Sequence, residues 1–287
     1  MNNDFLPSYR SQEPEEGVLY IVGTPIGNLS DISARAINIL MKVNLIACED
    51  TRQTKKILSS YKISNKLISF NQHSSEKKIP IIIKHLASGD SVALVSDAGM
   101  PGICDPGEDL VKEIRSIGGE IICIPGPCAA LTALVSSGLP SSKFIFEGFL
   151  PKKQSDREKI LSHVGQSEKT TILFESPHRF RKLLEELKTH CGEDRIIHIS
   201  RELTKKFEEH INTDIGNAIK LFKEKKIIGE FTVVIKGKGK LKDAKFDELN
   251  LRKELHELVN AGLSLSAASK YLAKKKSLKK NIIYNLY

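Results

Sequence analysis

The stretch Val92–Gly107 reads Val-Ala-Leu-Val-Ser-Asp-Ala-Gly-Met-Pro-Gly-Ile-Cys-Asp-Pro-Gly, and the fold prediction starts from it. Val92–Val95 is a short apolar run rich in β-branched residues, which is typical of a buried strand. The glycines, prolines and aspartates of Ser96–Gly107 then end the strand and turn the chain before a helix. Open α/β sheets bind ligands at the carboxyl ends of their strands, where small residues let a ligand approach the backbone. The stretch therefore predicts a ligand-binding loop at a sheet edge, with an ordinary strand-to-helix loop as the alternative.

Strand and helix patterns alternate through the whole first half of the chain. Besides Val92–Val95, the apolar runs predict strands at Gly17–Val22, Val43–Ala47, Leu67–Phe70 and Glu120–Ile124. Ser30 or Asp31 is expected to cap the first helix, and Pro127 is expected near the first position of a helix from Cys128 to Ser137. This alternation predicts an α/β fold with a mostly parallel sheet covered by helices.

The second half of the chain also mixes strands and helices. Strands are predicted at Phe144–Phe149, Thr170–Phe174, Arg195–Ser200 and Glu230–Ile235, with a paired extended segment at Glu208–Asn212. We therefore predict a flexible N-terminal tail at 1–16, one α/β domain at 17–138 and a second at 139–236. A basic linker and a C-terminal helical module are predicted at 237–287.

Composition limits the class of protein. Of the 287 residues, 40% are hydrophobic and 28% are charged, as in ordinary globular proteins. No apolar run approaches the ~20 residues of a membrane span, and the acids and prolines near the N-terminus do not form a signal sequence. We expect a cytoplasmic protein without membrane association. The five cysteines include no Cys-x-x-Cys pair, so no metal site and no disulfide framework are predicted, and most should be small buried hydrophobes.

The net charge of +9 is concentrated at the C-terminal end. The segment Lys236–Tyr287 contains thirteen lysines and arginines against five acids. A nearly neutral body with a basic tail favours an anionic partner, with nucleic acid as the first candidate. A solvated lysine-rich helical face is the alternative.

The residues that follow the other predicted strands disfavour several classes of ligand and of enzyme. The loop Gly23–Asp31 lacks both the Lys-Ser/Thr ending of a P-loop and the Gly-x-Gly-x-x-Gly pattern, which disfavours nucleoside triphosphates and dinucleotides. The segment Glu49–Arg52 follows a buried strand. Its two acids and its arginine either belong to a functional site or mark a helix N-terminus, where acidic residues are favourable. Several charged residues follow later strands, where they would bind phosphates or form surface salt bridges; they are Glu175, Arg179, Arg201, Glu202 and Lys205. No Ser-His-Asp, Cys-His or His-Glu-x-x-His arrangement is present, which disfavours hydrolases and metalloenzymes.

Six motifs, in this order, carry a family resemblance that covers about 17–236. They are Leu19–Ile32, Ala47–Arg52, Val95–Gly107, Ile124–Ala130, Phe174–Arg179 and Arg201–Lys205. Together they resemble the ribosomal RNA small subunit methyltransferase I family of the tetrapyrrole-methylase superfamily. Two residues depart from the family pattern: Met100 stands where threonine is common, and Cys104 stands where serine is usual.

The resemblance implies two α/β domains of the class III methyltransferase type, with S-adenosylmethionine bound in the cleft between them. It implies methyl transfer to the ribose 2′-hydroxyl of a decoding-centre cytidine in 16S rRNA, as naked RNA or in the small subunit, by a homodimer. The implied donor-binding residues are Ala98, Gly99, Met100, Pro101, Pro125, Gly126, Pro127, Cys128 and Ala129, with Thr24 and Pro25 facing the same cleft.

Methyl transfer to a poor nucleophile such as a ribose hydroxyl benefits from a positioned base. The candidates are Asp50, Glu175 and Glu202, and the residues expected to orient the RNA backbone are Arg52, Arg179, Arg201 and Lys205. Two other hypotheses stay open: a tetrapyrrole or other small-molecule methyltransferase on the same scaffold, and a non-enzymatic RNA-binding assembly factor.

Overall fold

The computed structural model describes residues 12–72, 74–239, 248–276, 278 and 280–287. The chain divides into two compact units, Met1–Lys238 and Gly239–Tyr287. Among the described helices, none combines the length and the apolar character that a membrane crossing requires.

A five-stranded parallel sheet occupies the first half of the chain. Its strands are β1 (Leu19–Val22), β2 (Leu45–Cys48), β3 (Leu67–Ser69), β4 (Val92–Val95) and β5 (Ile121–Ile124). They lie in the order β3-β2-β4-β1-β5, and every neighbouring pair is parallel. The predicted parallel sheet is thus confirmed, and β4 lies at its centre.

Helices cover both faces of this sheet. They are α1 (Ala34–Lys42), α2 (Thr51–Ser60), α3 (Ser75–Ala87) and α4 (Glu108–Ser116); the next helix along the chain is α5 (Ala129–Ser137). Side chains alternate along a strand, so Tyr20 and Val22 of β1 share a core with α1 and α2. Leu19 and Ile21 point to the other face, where they share a core with α3 and α4.

The predicted cap of the first helix is wrong by a few residues. Asn28 caps a single 3-10 turn at Leu29–Asp31, and Ser33 is the residue that caps α1, through its side chain and the N–H of Ala36. Neither Ser30 nor Asp31 caps the helix, because the extended backbone of Ile32 separates the two elements. The helix predicted from Cys128 to Ser137 is confirmed to within one residue, because α5 begins at Ala129 with Cys128 as its N-cap and Pro127 just before the cap.

A mixed sheet forms in the second half of the chain. Its strands are β6 (Phe144–Phe149), β7 (Thr170–Glu175), β8 (Ile196–Arg201), β9 (Glu209–Asp214) and β10 (Phe231–Ile235). The order is β6-β7-β10-β8-β9, in which only β6 and β7 run parallel.

The two faces of the mixed sheet pack against different helices. One face shares a core with α6 (Gln154–Gln166), α7 (Pro177–Cys191) and α8 (Ile215–Phe222). On the other face, Ala130, Ala133 and Leu134 of α5 pack with Ile172 and Val234. Helix α5 therefore belongs to the core of the mixed sheet although it precedes the boundary predicted at 138.

The ends of the predicted tail and linker are held by specific contacts. Residues 1–11 of the tail lie outside the described residues, but Glu13 is buried and accepts a hydrogen bond from Nε of Arg35 at 2.8 Å. In the linker, the N–H of Lys238 donates to the carbonyl of Ser167 at 2.6 Å. Residues 240–247 of the linker also lie outside the described part of the chain.

The C-terminal unit has its own apolar core. Its helices are α9 (Glu248–Asn260), α10 (Leu265–Lys276) and α11 (Lys280–Tyr284). Buried Leu255, Leu272 and Ile283 pack together between them. On its surface, Nζ of Lys276 lies 2.7 Å from a carboxylate oxygen of Glu254.

The expectation that most cysteines are buried is wrong. Only Cys48, in β2, is buried, whereas Cys104 and Cys123 are exposed and Cys128 and Cys191 are partly exposed. Cys104 lies in a loop, and Cys123 lies in β5 at the edge of the parallel sheet, so the core of the sheet covers neither side chain. All five are free thiols.

Candidate active site

Three loops at the carboxyl ends of β1, β4 and β5 are joined to one another. The N–H of Thr24 donates to the carbonyl of Gly99 at 2.9 Å, and the N–H of Gly99 donates back at 3.1 Å. A Cβ on Gly126 would lie 2.7 Å from Cα of Gly23, so the loop after β5 meets the loop after β1 at bare backbone. The glycines are therefore required by the close approach of the three loops.

A cavity of about 440 Å³ lies beside these loops, within the size range of small-molecule sites. The loop after β4 lines it with Ala98, Gly99 and Met100, and the start of α5 adds Cys128 and Ala129. These five residues are among the predicted donor-binding residues, and the fold brings them to one hollow.

The opposite wall comes from the mixed sheet. Phe149 ends β6, Phe174 and Glu175 end β7, and Thr232 lies in β10; all four line the cavity. Aromatic rings and small apolar groups thus make up much of the wall. The cavity lies between the carboxyl end of the parallel sheet and the end of β7, which is where open α/β sheets bind ligands.

Gly99 presents bare backbone to the cavity. Its φ of +83° is a left-handed conformation that favours glycine. A Cβ there would lie 3.3 Å from Cγ2 of Ile26 and 3.4 Å from the carbonyl oxygen of Pro127. A larger side chain at this position would therefore be strained, crowded against its neighbours, and in the way of a ligand.

Three acids give the cavity a negative wall. Glu49 follows β2, Asp97 follows β4, and Asp105 lies further along the same loop. Burial raises the pKa of each carboxyl, and the negative charges of Asp105 and Asp97 raise the pKa of Glu49 further. Within the described part of the chain these acids form no ion pair, so a cationic ligand would relieve their repulsion. Among the residues that the structure describes, no group of three or more His, Cys, Asp or Glu is arranged to hold a metal ion.

The other predicted donor-binding residues lie beside the cavity rather than on its wall. Thr24 is buried, and its Oγ1 donates to the carbonyl of Ser96 at 3.2 Å, which ties the first loop to the loop after β4. Pro101 lines a separate depression next to α4. The remaining residues absent from the cavity wall are Pro25, Pro125, Gly126 and Pro127.

Glu175 is the one acid among the three predicted bases that lines the cavity. Its buried carboxylate lies between two arginines: Oε2 is 3.2 Å from Nη2 of Arg157, and Oε1 is 2.8 Å from Nε of Arg179. Oε1 also accepts the N–H of Ser176 at 2.9 Å. These contacts fix the orientation of the carboxylate.

The other two predicted bases do not line the cavity and have lowered pKa values. Hydrogen bonds from the side chain and the N–H of Arg52 lower the pKa of Asp50, the N-cap of α2, to about 2. Burial opposes ionisation of Glu202, but hydrogen bonds from Lys205 and from the N–H of Glu230 outweigh it, so its pKa is also lowered. A low pKa weakens a carboxylate as a base.

Two of the predicted RNA-contacting residues, Arg52 and Arg179, differ in how exposed their side chains are to solvent. The Arg52 side chain is 85% exposed and lies 2.7 Å from Oδ2 of Asp50. Arg179 is mostly buried, pairs with Glu175 and donates from Nη1 to the carbonyl of Leu150 at 3.1 Å. Arg179 is therefore committed to holding the cavity wall, whereas Arg52 faces solvent.

Arg201 and Lys205 are also engaged in contacts within the chain. Arg201 lies 3.3 Å from Glu209, and Nζ of Lys205 lies 3.0 Å from both Glu202 and Glu230. A Cβ on Gly27 would lie 2.5 Å from Cγ of Lys205, so the loop after β8 touches the loop after β1.

Sequence reasoning missed the cavity roles of Glu49, Asp97, Asp105, Phe149 and Phe174. The acids stand inside the motifs that carry the family resemblance, and a signal existed, because Glu49 and Asp97 each follow a predicted buried strand. Local sequence patterns could not predict that β2 and β4 are neighbours in the sheet, which brings Glu49 and Asp97 to the same cavity. No sequence signal marked the two phenylalanines beyond their position at strand ends.

The fold and the cavity define the class of protein. Residues 18–219 match the family model described as Tetrapyrrole (Corrin/Porphyrin) Methylases. Among solved structures, the chain is similar to a cobalt-precorrin-4 methyltransferase of cobalamin biosynthesis, with a TM-score of 0.59, 15% identity, and coverage of 77% of this chain and 95% of that one. It is also similar to the uroporphyrin-III C-methyltransferase of Thermus thermophilus, with a TM-score of 0.55, 16% identity, and coverage of 77% and 94%. These matches show the class III methyltransferase fold.

Curated relatives give the particular family. "Ribosomal RNA small subunit methyltransferase I" of Synechocystis is 43% identical over 94% of this chain and 97% of its own length. The Bacillus subtilis protein of that name is 39% identical over 94% of both chains. The Thermotoga maritima protein of that name is 46% identical over 77% of this chain and 99% of its own, so the rest of this chain has no counterpart in it. The chain belongs to the ribosomal RNA small subunit methyltransferase I family.

Proposed function

We propose that the protein transfers a methyl group from S-adenosylmethionine to the ribose 2′-hydroxyl of cytidine 1402 in 16S rRNA. The observation that supports it most is the joining of three small-residue loops around one cavity, in a chain whose relatives carry the name of an rRNA methyltransferase. An rRNA substrate implies a cytoplasmic protein.

The residues of the cavity fit such a donor. Gly99 and its neighbours Ala98 and Ala129 leave room at the backbone, and the acids supply negative charge. The donor carries its methyl group on a positively charged sulfur; transfer breaks the sulfur–carbon bond, forms an oxygen–carbon bond and leaves the sulfur neutral. Small side chains and opposite charge are what a cationic ligand of this shape requires.

Glu49, Asp97 and Asp105 serve donor affinity in this proposal, and they do not lower the barrier. An opposite charge at about 4 Å contributes about 4 kcal/mol at an effective dielectric constant of about 20. Because that attraction weakens as the sulfur loses its charge, it stabilises the bound donor more than the transition state.

Glu175 is the proposed general base. It lines the cavity, and Arg157 and Arg179 hold its carboxylate in one orientation. A carboxylate held in this way accepts the ribose hydroxyl proton as the oxygen–carbon bond forms. Arg157 and Arg179 act as positioning residues through Glu175.

The basic C-terminal unit, together with Arg52, is proposed to contact RNA phosphates. Lys274, Lys275 and Lys276 end α10 in a run of three positive charges. Such contacts add affinity without sequence selectivity and weaken with salt. We also propose that the protein acts as a homodimer, which sedimentation velocity of the full chain would test.

The experiment is methyl incorporation into small ribosomal subunits from a strain that lacks the gene. Labelled S-adenosylmethionine and the protein should yield 2′-O-methylcytidine, mapped to position 1402 in the digested rRNA. Naked 16S rRNA and a tetrapyrrole precursor serve as parallel substrates. Methylation of the tetrapyrrole alone would overturn the proposal, as would failure to bind the donor at all, which would favour a non-enzymatic RNA-binding protein.

A further inference from the structure

An aromatic side chain lies at the rim of the cavity with much of its surface exposed. Phe149, the last residue of β6, lines the cavity and is 53% exposed. Its ring centroid lies 5.5 Å from that of Phe174, and the Phe174 ring lies 5.1 Å from that of Phe146. The three rings form an aromatic cluster in which Phe149 is the most exposed member.

A bulge in β6 aims Phe149 into this cluster. In the register with β7, Phe146 pairs with Ile172 and Phe149 pairs with Phe174, so β6 uses one residue more than β7 over this interval. Side chains alternate along a regular strand, so two residues three positions apart, such as Phe146 and Phe149, would point to opposite faces if β6 had no bulge. Gly148 makes the irregularity feasible, with a φ of +62° that favours glycine.

The location of Phe149 relative to Glu175 suggests its ligand. Phe174 precedes Glu175 on β7 and is the register partner of Phe149. Phe149, Phe174 and Glu175 all line the cavity, so a nucleotide whose ribose enters it to meet Glu175 brings its base near these two rings. The loops proposed to hold the donor come from the parallel sheet, on the other wall of the cavity.

We infer that Phe149 is the stacking platform for the base of the nucleotide that is methylated. The inference rests on the proposed function and extends it to a substrate-positioning residue. A nucleotide that enters a cavity leaves its neighbours in the RNA stack, so its base needs a new flat partner. The exposed ring of Phe149 supplies that partner, and its packing against Phe174 fixes the plane of the ring.

The test compares Phe149→Leu, Phe149→Trp and a matched control, Phe144→Leu. Phe144 is at the opposite end of β6, is 39% exposed and does not line the cavity. With small subunits from the gene-deleted strain as substrate, Phe149→Leu should lower kcat/KM for the subunits about ten-fold or more, since base stacking corresponds to roughly a 5- to 150-fold effect per base. Phe149→Trp should retain activity, and the Kd for the donor should be unchanged in every variant.

A second measurement separates the RNA base from the adenine of the donor. The chain has no tryptophan, so residue 149 is the only indole in Phe149→Trp. Its emission should not change when S-adenosylhomocysteine is added. Quenching by that ligand, or weaker donor binding by Phe149→Leu, would overturn the inference, because the platform would then serve the donor.

Equal kcat/KM values for Phe149→Leu and Phe144→Leu would also overturn it. Wild-type incorporation into the subunits, measured in parallel, tests the proposed function by itself. The role of Phe149 depends only on the differences between variants, so the two proposals fail in distinguishable ways.

Discussion

Thr24 and Gly99 are joined by two backbone hydrogen bonds, 2.9 and 3.1 Å long, although 75 residues separate them in the chain. This bridge holds the loop after β1 against the loop after β4 at the edge of the cavity. The hydrogen bonds use only backbone atoms, so no large side chain is needed to hold the two loops together. Small residues at this edge of the cavity therefore leave room for a ligand. The geometry of the proposed donor site therefore depends on Gly99.

Gly99→Leu should abolish donor binding. The side chain would be strained at a φ of +83° and would meet Ile26 and the carbonyl of Pro127. Calorimetric titration with S-adenosylhomocysteine measures the loss. Gly118→Leu is the control, because Gly118 has a similar φ of +74° but no atom within 4 Å of an added Cβ. Normal affinity in Gly99→Leu would remove the donor site from this loop.

The loop around Gly99 was predictable, whereas the rest of the cavity was only partly so. Breaker residues after a buried run mark a strand end from the sequence alone, and β4 is found where they indicate. The proximity of Glu49 to Asp97 requires β2 beside β4, a long-range pairing that local patterns do not contain. The orientation of Phe149 depends on a one-residue bulge against β7, and strand ends predicted correctly do not reveal a register.

Glu175→Gln should lower kcat about 10²- to 10⁴-fold, the range typical of loss of a general base. Glutamine keeps the shape but has one acceptor oxygen, so it retains the contact with only one of Arg157 and Arg179. Donor affinity should remain, because the loops proposed to hold the donor come from the parallel sheet. The matched control is Glu186→Gln: Glu186 also binds Arg157, at 2.7 Å, but does not line the cavity. Single-turnover methylation of small subunits measures both variants. Equal rates for the two would mean that Glu175 only supports the fold.

Asp97→Asn should weaken binding of S-adenosylmethionine more than binding of S-adenosylhomocysteine. The donor has a positive sulfur and the product does not, so the loss of a carboxylate in the cavity affects the donor more. A ten-fold difference corresponds to about 1.4 kcal/mol, well within the charge interaction expected at such a site. Calorimetry with both ligands gives the two dissociation constants. Equal weakening would indicate that Asp97 contacts a group that both ligands share.

Asp105→Asn should stabilise the protein at neutral pH. Burial raises the pKa of Asp105 above its usual value in the folded state, so the folded protein binds this proton more tightly than the unfolded chain does. Ionisation of Asp105 then costs stability as the pH rises above the ordinary aspartate pKa. The urea midpoint of Asp105→Asn should exceed that of wild type at pH 7, and the difference should shrink toward pH 4. Glu113→Gln, at an exposed position of α4, should show no such trend.

Removal of the C-terminal unit should separate RNA binding from donor binding. A chain ending at Lys238 keeps both sheets and the whole cavity, because every lining residue precedes that point. Its donor affinity should match that of the full chain, while its affinity for small subunits should fall and depend less on salt. The logarithmic salt slope should decrease by roughly one unit for each phosphate that the shortened chain no longer binds.

A substitution in the full chain tests the same role without truncation. Changing Lys274, Lys275 and Lys276 together to glutamine removes three charges from the end of α10 and keeps the apolar core of the unit, formed by residues such as Leu255 and Leu272. Subunit affinity measured at two salt concentrations should fall more at the lower one, because screening already weakens the phosphate interactions at high salt. If both the truncated and the substituted proteins bind subunits as tightly as wild type, the basic charge of this unit has no role in RNA binding, and Arg52 becomes the main candidate for binding phosphate.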